Sequence, residues 1–252
     1  MTLLGYLVVA LFLPLFPISM LFNRLYARVG TLRARVFLLL VWPQLGLLVL
    51  AELPGQPPTW VVHWAVVTAC FYAFRAVALR DLTLWIAYMA TSAWSLLWAM
   101  ALFAPGDMLL VLQALAFSAP FVLLAWLASR IELLFGAAYA GTCGGLGQTA
   151  PRLSVLLVFS ILAAVGTPLF PGFFALLATT ANLLPVLPGA ALVMLTAWFL
   201  WAWAGAQMTR GLVVGPAAEE PKPDLGLAAT LPPGVLLAVL AVAGVTSLGY
   251  LT

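Results

Sequence analysis

The chain offers few side chains for chemistry inside its apolar runs. The ionisable ones are His63, Arg75 and the boundary pair Arg80 and Asp81; Gln113 and Ser118 add neutral polar groups. A charge at the centre of a bilayer costs about 2.5–3.5 kcal/mol on insertion scales, so an intramembrane charge is first read as a candidate for moving an ion. For Arg75 two readings stand. One puts it on an ion or anion path. The other lets its stem carry the guanidinium to the interface, five residues before Arg80. His63 lies in the first turn of its run, between Trp60 and Trp64, where amphipathic rings settle at a membrane surface. Asp81 suits the N-cap of the run after it, since a carboxylate accepts orphan N–H groups there. Gln113 and Ser118 suit hydrogen bonds between helices.

What is missing narrows the chemistry further. The one lysine, Lys222, falls in a polar stretch, and no carboxylate lies deep in an expected helix. A proton relay needs titratable groups in series through the core. There is no Gly-rich phosphate loop, no Ser/His/Asp set and no cluster with metal-ligand spacing. Cys70 and Cys143 are too far apart for a redox motif and read as small core residues. No metal or organic cofactor is expected. An enzyme working on lipid at the interface needs a constellation at the loop ends. Arg130 and Glu132 are too sparse for that and read as a surface ion pair of little energetic worth.

The elements that position these groups follow from composition. The chain is 65% hydrophobic and 7% charged over 252 residues, with mean hydropathy +1.17. So little polar surface excludes a soluble domain, and unalternated apolar runs of about 15–22 residues exclude a β-barrel. The fold class is an all-α polytopic membrane helix bundle of about eight to nine transmembrane helices. Hydropathy and breakers place them at about 3–22, 36–52, 60–79, 82–103, 108–129, 153–168, 170–184, 188–209 and 230–250. Residues 1–59 form an N-terminal group and 60–252 the remainder. Leu3–Leu21 lacks a basic leader and reads as a retained first helix. Ten basic residues are too few for a nucleic-acid surface and serve as topology signals. Arg24, Arg28, Arg33 and Arg35 fill the first loop, and APGD marks the fourth turn. Residues 130–152 form a long central loop, and 210–229 a polar one with Glu219, Glu220, Lys222 and Asp224. If 170–184 does not span by itself, Arg210 and Lys222 join the basic side, and charge asymmetry favours eight spans over nine.

One stretch departs from a plain bundle. Leu153–Pro216 is of membrane length, yet Pro168, Pro171, Gly172, Pro185 and Pro188 break it. Broken helices recur where ions cross a membrane. A broken helix near 168–184, irregular at its start, is therefore expected.

The order of pieces from His63 onward resembles the antiporter-like, proton-translocating membrane subunits of respiratory complex I, Mrp-type cation antiporters, membrane-bound hydrogenases and DAB-type inorganic-carbon accumulation complexes. ALRDLTLWIAYMATSAW (78–94) looks like that family's Q-x-D-L-K-R-L-x-A-Y-S-S-x-S motif. QALAFSAPFVLLAWL (113–127) looks like its H-A-L-x-K-A-x-L-F-L helix. GGLGQTAPRLSVLLVFSILAAVGTPLFPGFF (144–174) looks like its broken-helix segment, and MTRGLVVGP like its R-x-x-x-G-P loop. The resemblance covers roughly 190 residues in collinear order. The departures fall on the charges. Thr83 stands where the family carries Lys, Gln113 and Phe117 where it carries His and Lys, and Leu176 where it carries the charge of the broken helix. The chain is about half the family's usual length.

The resemblance implies an accessory antiporter-like subunit of a larger ion-coupled membrane complex, with its own proton path degenerate. An inorganic-carbon-accumulating or Mrp-like assembly is the expected setting. The partners are then the lipid bilayer and other integral membrane subunits, a full-length antiporter-like subunit among them, in a bacterial inner membrane. No catalytic activity of its own is expected outside a translocating complex. The alternative is an active proton- or cation-translocating subunit using Arg75, Arg80 and Asp81.

Overall fold

The computed structural model describes residues 2–103, 108–141, 144–216 and 222–247. The expected APGD turn, Cys143, Glu219 and Glu220 lie outside them. The elements are α1 (Thr2–Phe12), α2 (Met20–Arg28), α3 (Leu32–Ala51), α4 (Thr59–Val77), α5 (Leu82–Ser95), α6 (Leu97–Ala101), α7 (Met108–Phe135), α8 (Leu146–Thr149), α9 (Pro151–Ala164), α10 (Pro171–Leu183), α11 (Pro188–Val213) and α12 (Leu227–Ser247). The protein is an all-α bundle. Among the described residues, six helices are long and apolar enough to cross a membrane: α3, α4, α5 continued by α6, α7, α11 and α12.

Two further traverses come in pieces. α1 and α2 run antiparallel to α3: Gly5 lies against Leu53, and Leu13 against Gly46. α9 and α10 follow each other along the same neighbours, α7, α11 and α12. They form one traverse broken between Ala164 and Pro171. The loop after α11 closes the topology. Gly141 N–H donates to the Gly211 carbonyl at 2.8 Å, and Ala140 N–H to the Arg80 carbonyl at 2.7 Å. Arg152 N–H donates to Asp224 at 2.9 Å. Arg80, Arg152 and Arg210 thus share one end of the bundle, which is the eight-traverse arrangement.

α5 and α6 form the axis. Every residue from Met89 to Leu102 is buried, including Trp94 and Trp98. α2, α4, α7 and α11 surround that axis, and α3 packs on α7. In lipid this close packing, with small residues between helices, supplies the association energy. Gly244 of α12 is one such residue: a Cβ there would strike the Leu169 carbonyl, so α12 can lie directly against the second break.

Several boundaries differ from the sequence reading: Arg24 and Arg28 lie on α2 and Arg33 and Arg35 on α3 rather than in a loop, because α2 runs to Arg28 and α3 starts at Leu32. The first helix does not run from 3 to 22. It breaks at 13–19, because Pro14 and Pro17 lack the N–H that the Ala10 and Leu13 carbonyls need four residues later. α7 continues to Phe135 and takes Arg130 and Glu132 out of the loop. Nothing in ASRIELLF stops it until Gly136, whose φ of 82° makes a left-handed cap while its N–H donates to the Glu132 carbonyl at 2.8 Å.

Candidate functional site: two helix breaks and their surroundings

A proline-made break frees backbone carbonyls inside the membrane, and every one of them needs a donor. At the first break Pro17 leaves the Leu13 carbonyl without its helical partner. The indole N–H of Trp98 fills that place at 2.9 Å. Leu15 N–H turns to Ala10 instead of Leu11, and Met20 N–H turns to Pro17 instead of Phe16. The Leu11 carbonyl accepts from Trp42 at 3.0 Å and the Phe16 carbonyl from Trp64 at 2.8 Å. Thr68 accepts from Phe16 N–H at 3.2 Å. At the second break Pro168 and Pro171 supply no N–H. Trp198 donates to the carbonyls of Val165 at 3.2 Å and Gly166 at 3.1 Å. Carbonyls of the kind that hold ions or water in broken helices are here taken by indoles.

Of the four positions where the resemblance expects a charged or titratable group, two lie at the second break, one at the arginine-rich end, and Gln113 on a cleft described below. Phe117 and Leu176 sit at the second break and are buried. Phe117 packs its ring near Gly172 and edge-on to Trp201, with centroids 6.2 Å apart. Leu176 reaches toward Gly166. Thr83 lies at the arginine-rich end, and its hydroxyl donates to Glu132 at 3.1 Å. Glu132 is paired in turn with Arg35 at 3.4 Å. The Arg130–Glu132 surface pair expected from sequence is therefore replaced by Arg35–Glu132–Thr83, which ties α3, α7 and α5 together. Arg130 lies 5.3 Å above the Trp126 ring. Gly136 was the sequence signal that α7 reaches this far; the Arg35 partnership, 97 residues away, had none.

The other expected residues are spread apart. Asp81 accepts from the Thr83 N–H at 2.8 Å and the Leu84 N–H at 3.2 Å, a helix N-cap. Arg80 is exposed, with its carbonyl in the loop pairing described above. Arg75 is exposed on α4 and stacks on Phe71 at 5.8 Å and Tyr88 at 5.4 Å. His63 is exposed, with Nδ1 2.8 Å from the Thr59 carbonyl of its own helix. Cys70 packs against the core. Ser118 accepts from the Trp94 indole at 3.1 Å, an interhelical bond as expected. Gln113 differs: it has no such partner among the described residues and lines an apolar cleft of about 590 Å³ between α7, α10 and α12. Asn182 lines the same cleft.

Between the ends runs a neutral polar seam that sequence reasoning missed. Ser19 and Tyr72 hydroxyls lie 2.8 Å apart. Asn23 donates to the Ser19 carbonyl at 3.2 Å and accepts from Thr91 at 3.0 Å. Trp201 donates to Ser92 at 2.7 Å, and Ser92 to the Ala69 carbonyl at 2.7 Å. The seam fastens α2, α4, α5 and α11 without a charge. Among the described residues no three His, Cys, Asp or Glu come together to hold a metal.

Known proteins share this architecture. No family model matches the chain. An uncharacterized protein of Aquifex aeolicus is 24% identical over 227 residues, covering 90% of this chain and 93% of that one. A chain of the Mrp complex from Dietzia superposes with a TM-score of 0.86 at 18% identity, over 99% of this chain and 57% of that one. A chain of the archaeal membrane-bound sulfane sulfur reductase gives 0.80 at 18%, over 96% and 52%. One of respiratory complex I from Thermus thermophilus gives 0.75 at 20%, over 96% and 52%. The likeness to the Mrp chain extends through α1 to α3, beyond the part from His63 onward that the motifs cover. The chain spans about half the length of the solved chains it matches. Over that half, the chain has the fold of these chains from the Mrp, sulfane sulfur reductase and complex I structures.

Proposed function

We propose that this chain is an accessory, antiporter-like integral membrane subunit of a larger ion-coupled complex, and that it translocates no proton by itself. The observation that carries this reading is that tryptophan indoles occupy backbone carbonyls at both helix breaks. An ion path through a broken helix needs its freed carbonyls open to ion or water. Here Trp42, Trp64 and Trp98 occupy them at one break and Trp198 at the other. Phe117 and Leu176 add apolar bulk beside the second break. The fold likeness to chains of multi-subunit membrane assemblies supports integral membrane partners. A full-length antiporter-like subunit is the partner this reading favours. An Mrp-like or inorganic-carbon-accumulating assembly is the setting it favours.

The experiment is purification from the native membrane. The protein is expected to run in a complex with a larger integral membrane subunit, and alone in proteoliposomes to show no proton flux. Flux by the isolated chain, abolished by Asp81→Asn, would instead establish translocation through Arg75, Arg80 and Asp81. A chain that purifies alone, without a larger partner, sinks the accessory-subunit reading.

A further inference from the structure

Arg35 settles the turn between α2 and α3 and leaves three other arginines uncompensated. Its Nε donates to the Val29 carbonyl at 2.9 Å, and its Nη1 to Glu132 at 3.4 Å. Arg24 and Arg28 on α2 and Arg33 at the start of α3 flank the same turn and are exposed. The carboxylates described at this end are engaged elsewhere. Glu132 is held by Arg35, Asp81 caps α5, and Asp224 accepts the N–H groups of Arg152 and Leu153. Among the described residues, Arg24, Arg28 and Arg33 have no acidic partner.

The neighbours of these charges say what covers them. Leu21, Arg24, Leu25 and Arg28 follow one another at helical spacing along a single outward stripe of α2. Arg33 and Phe37 do the same at the start of α3. Leu21 is 56% exposed, Leu25 41% and Phe37 62%. Leu21 and Phe37 lie deeper along the bundle, Arg28 and Arg33 nearest its end, with Arg24 and Leu25 between them. That is the order of acyl chains and a charged headgroup. An acidic soluble protein surface would match the arginines but leave Leu21 and Phe37 unexplained. Guanidinium forks also fit phosphate oxygens in pairs.

We propose that Arg24, Arg28 and Arg33 bind the phosphate of an anionic phospholipid, whose acyl chains lie against Leu21, Leu25 and Phe37. The site makes the α2–α3 turn a lipid-reading element at the arginine-rich end of the bundle. Each basic residue beside a membrane surface is expected to contribute about five-fold in affinity.

The test uses the full chain, delipidated in detergent and then offered phosphatidylglycerol, phosphatidylcholine or inorganic phosphate. Lipid retained per protein is read by mass spectrometry. The wild type is expected to retain phosphatidylglycerol about ten-fold or more over phosphatidylcholine. Arg24→Gln, Arg28→Gln and Arg33→Gln are each expected to lose about five-fold, and the triple variant to lose the preference. Arg210→Gln, exposed at the same end, is expected to keep it. Should the triple variant fail to fold by circular dichroism, the three single variants carry the comparison. Equal retention of the two lipids overturns the proposal, as does a folded triple variant with undiminished preference. Displacement of phosphatidylglycerol by millimolar inorganic phosphate would reassign the site to free phosphate. Loss of an acidic soluble protein from the triple variant, with no lipid preference in the wild type, would reassign it to a protein partner.

Discussion

The indole N–H of Trp98 donates to the backbone carbonyl of Leu13 at 2.9 Å, across 85 residues of sequence. It stands where the amide of residue 17 would stand if that residue were not proline. Both groups are buried. Removing the donor leaves a carbonyl with no partner in a dry site, which costs about 1–3 kcal/mol. Trp98→Phe, which keeps most of the ring, is expected to lower stability by that amount in thermal unfolding of the detergent-solubilised protein. An unchanged midpoint would show that the break does not depend on its indole.

Asp81 offers a separation between a structural and a conducting role. As an N-cap it can be replaced by Asn at a cost of a few tenths of a kcal/mol, whereas Ala costs about 1 kcal/mol. Asp81→Asn is expected to unfold close to wild type and Asp81→Ala below it, with the activity of the native complex unaltered by the Asn variant. A loss of activity with unaltered stability would give the carboxylate a role beyond the cap.

The Arg35–Glu132 pair is open to a double-mutant cycle. Arg35 has 12% of its side chain exposed and Glu132 36%, so solvent screens part of the attraction. The coupling between Arg35→Gln and Glu132→Gln is expected at about 1 kcal/mol or less. Thr83→Val is expected to remove part of it, since the Thr83 hydroxyl shares the same carboxylate oxygen. Additive single effects would leave the three-helix fastening without energetic content.

The contact between α12 and the second break predicts a contrast between two glycines of one helix. Gly244→Ala puts a methyl group against the Leu169 carbonyl, while Gly234→Ala meets nothing within 4 Å. The first is expected to cost about 1–3 kcal/mol, as overpacking does, and the second to be tolerated. Both are read by unfolding of the purified protein. Equal behaviour of the two would mean that α12 can move away from the break without loss.

Helix order and the second break are legible in the sequence because hydropathy and proline act locally. Pro168 and Pro171 mark the break, and Pro188 opens α11 where expected. The first break was hidden by the same rule, since membrane helices tolerate single prolines. Pro14 and Pro17, three residues apart, remove two helical bonds within one turn. Which carbonyl a proline frees can be counted from sequence. Which indoles fill the break, at the Leu11, Leu13 and Phe16 carbonyls, cannot, because Trp42, Trp98 and Trp64 come from three other helices. The pairing of Glu132 with Arg35 is hidden for the same reason, and so is the seam from Ser19 through Tyr72 and Asn23 to Thr91, whose members are neutral residues ordinary in any membrane helix.

The indole caps turn each break into its own clock. An N–H proton held by a buried carbonyl exchanges with solvent only when the bond opens and water arrives. Indole protons resonate apart from backbone amides, so Trp98 at one break and Trp198 at the other can be timed separately. Slow exchange at both would mean that water does not visit the places where the helices part. Fast exchange at one alone would name the break that breathes.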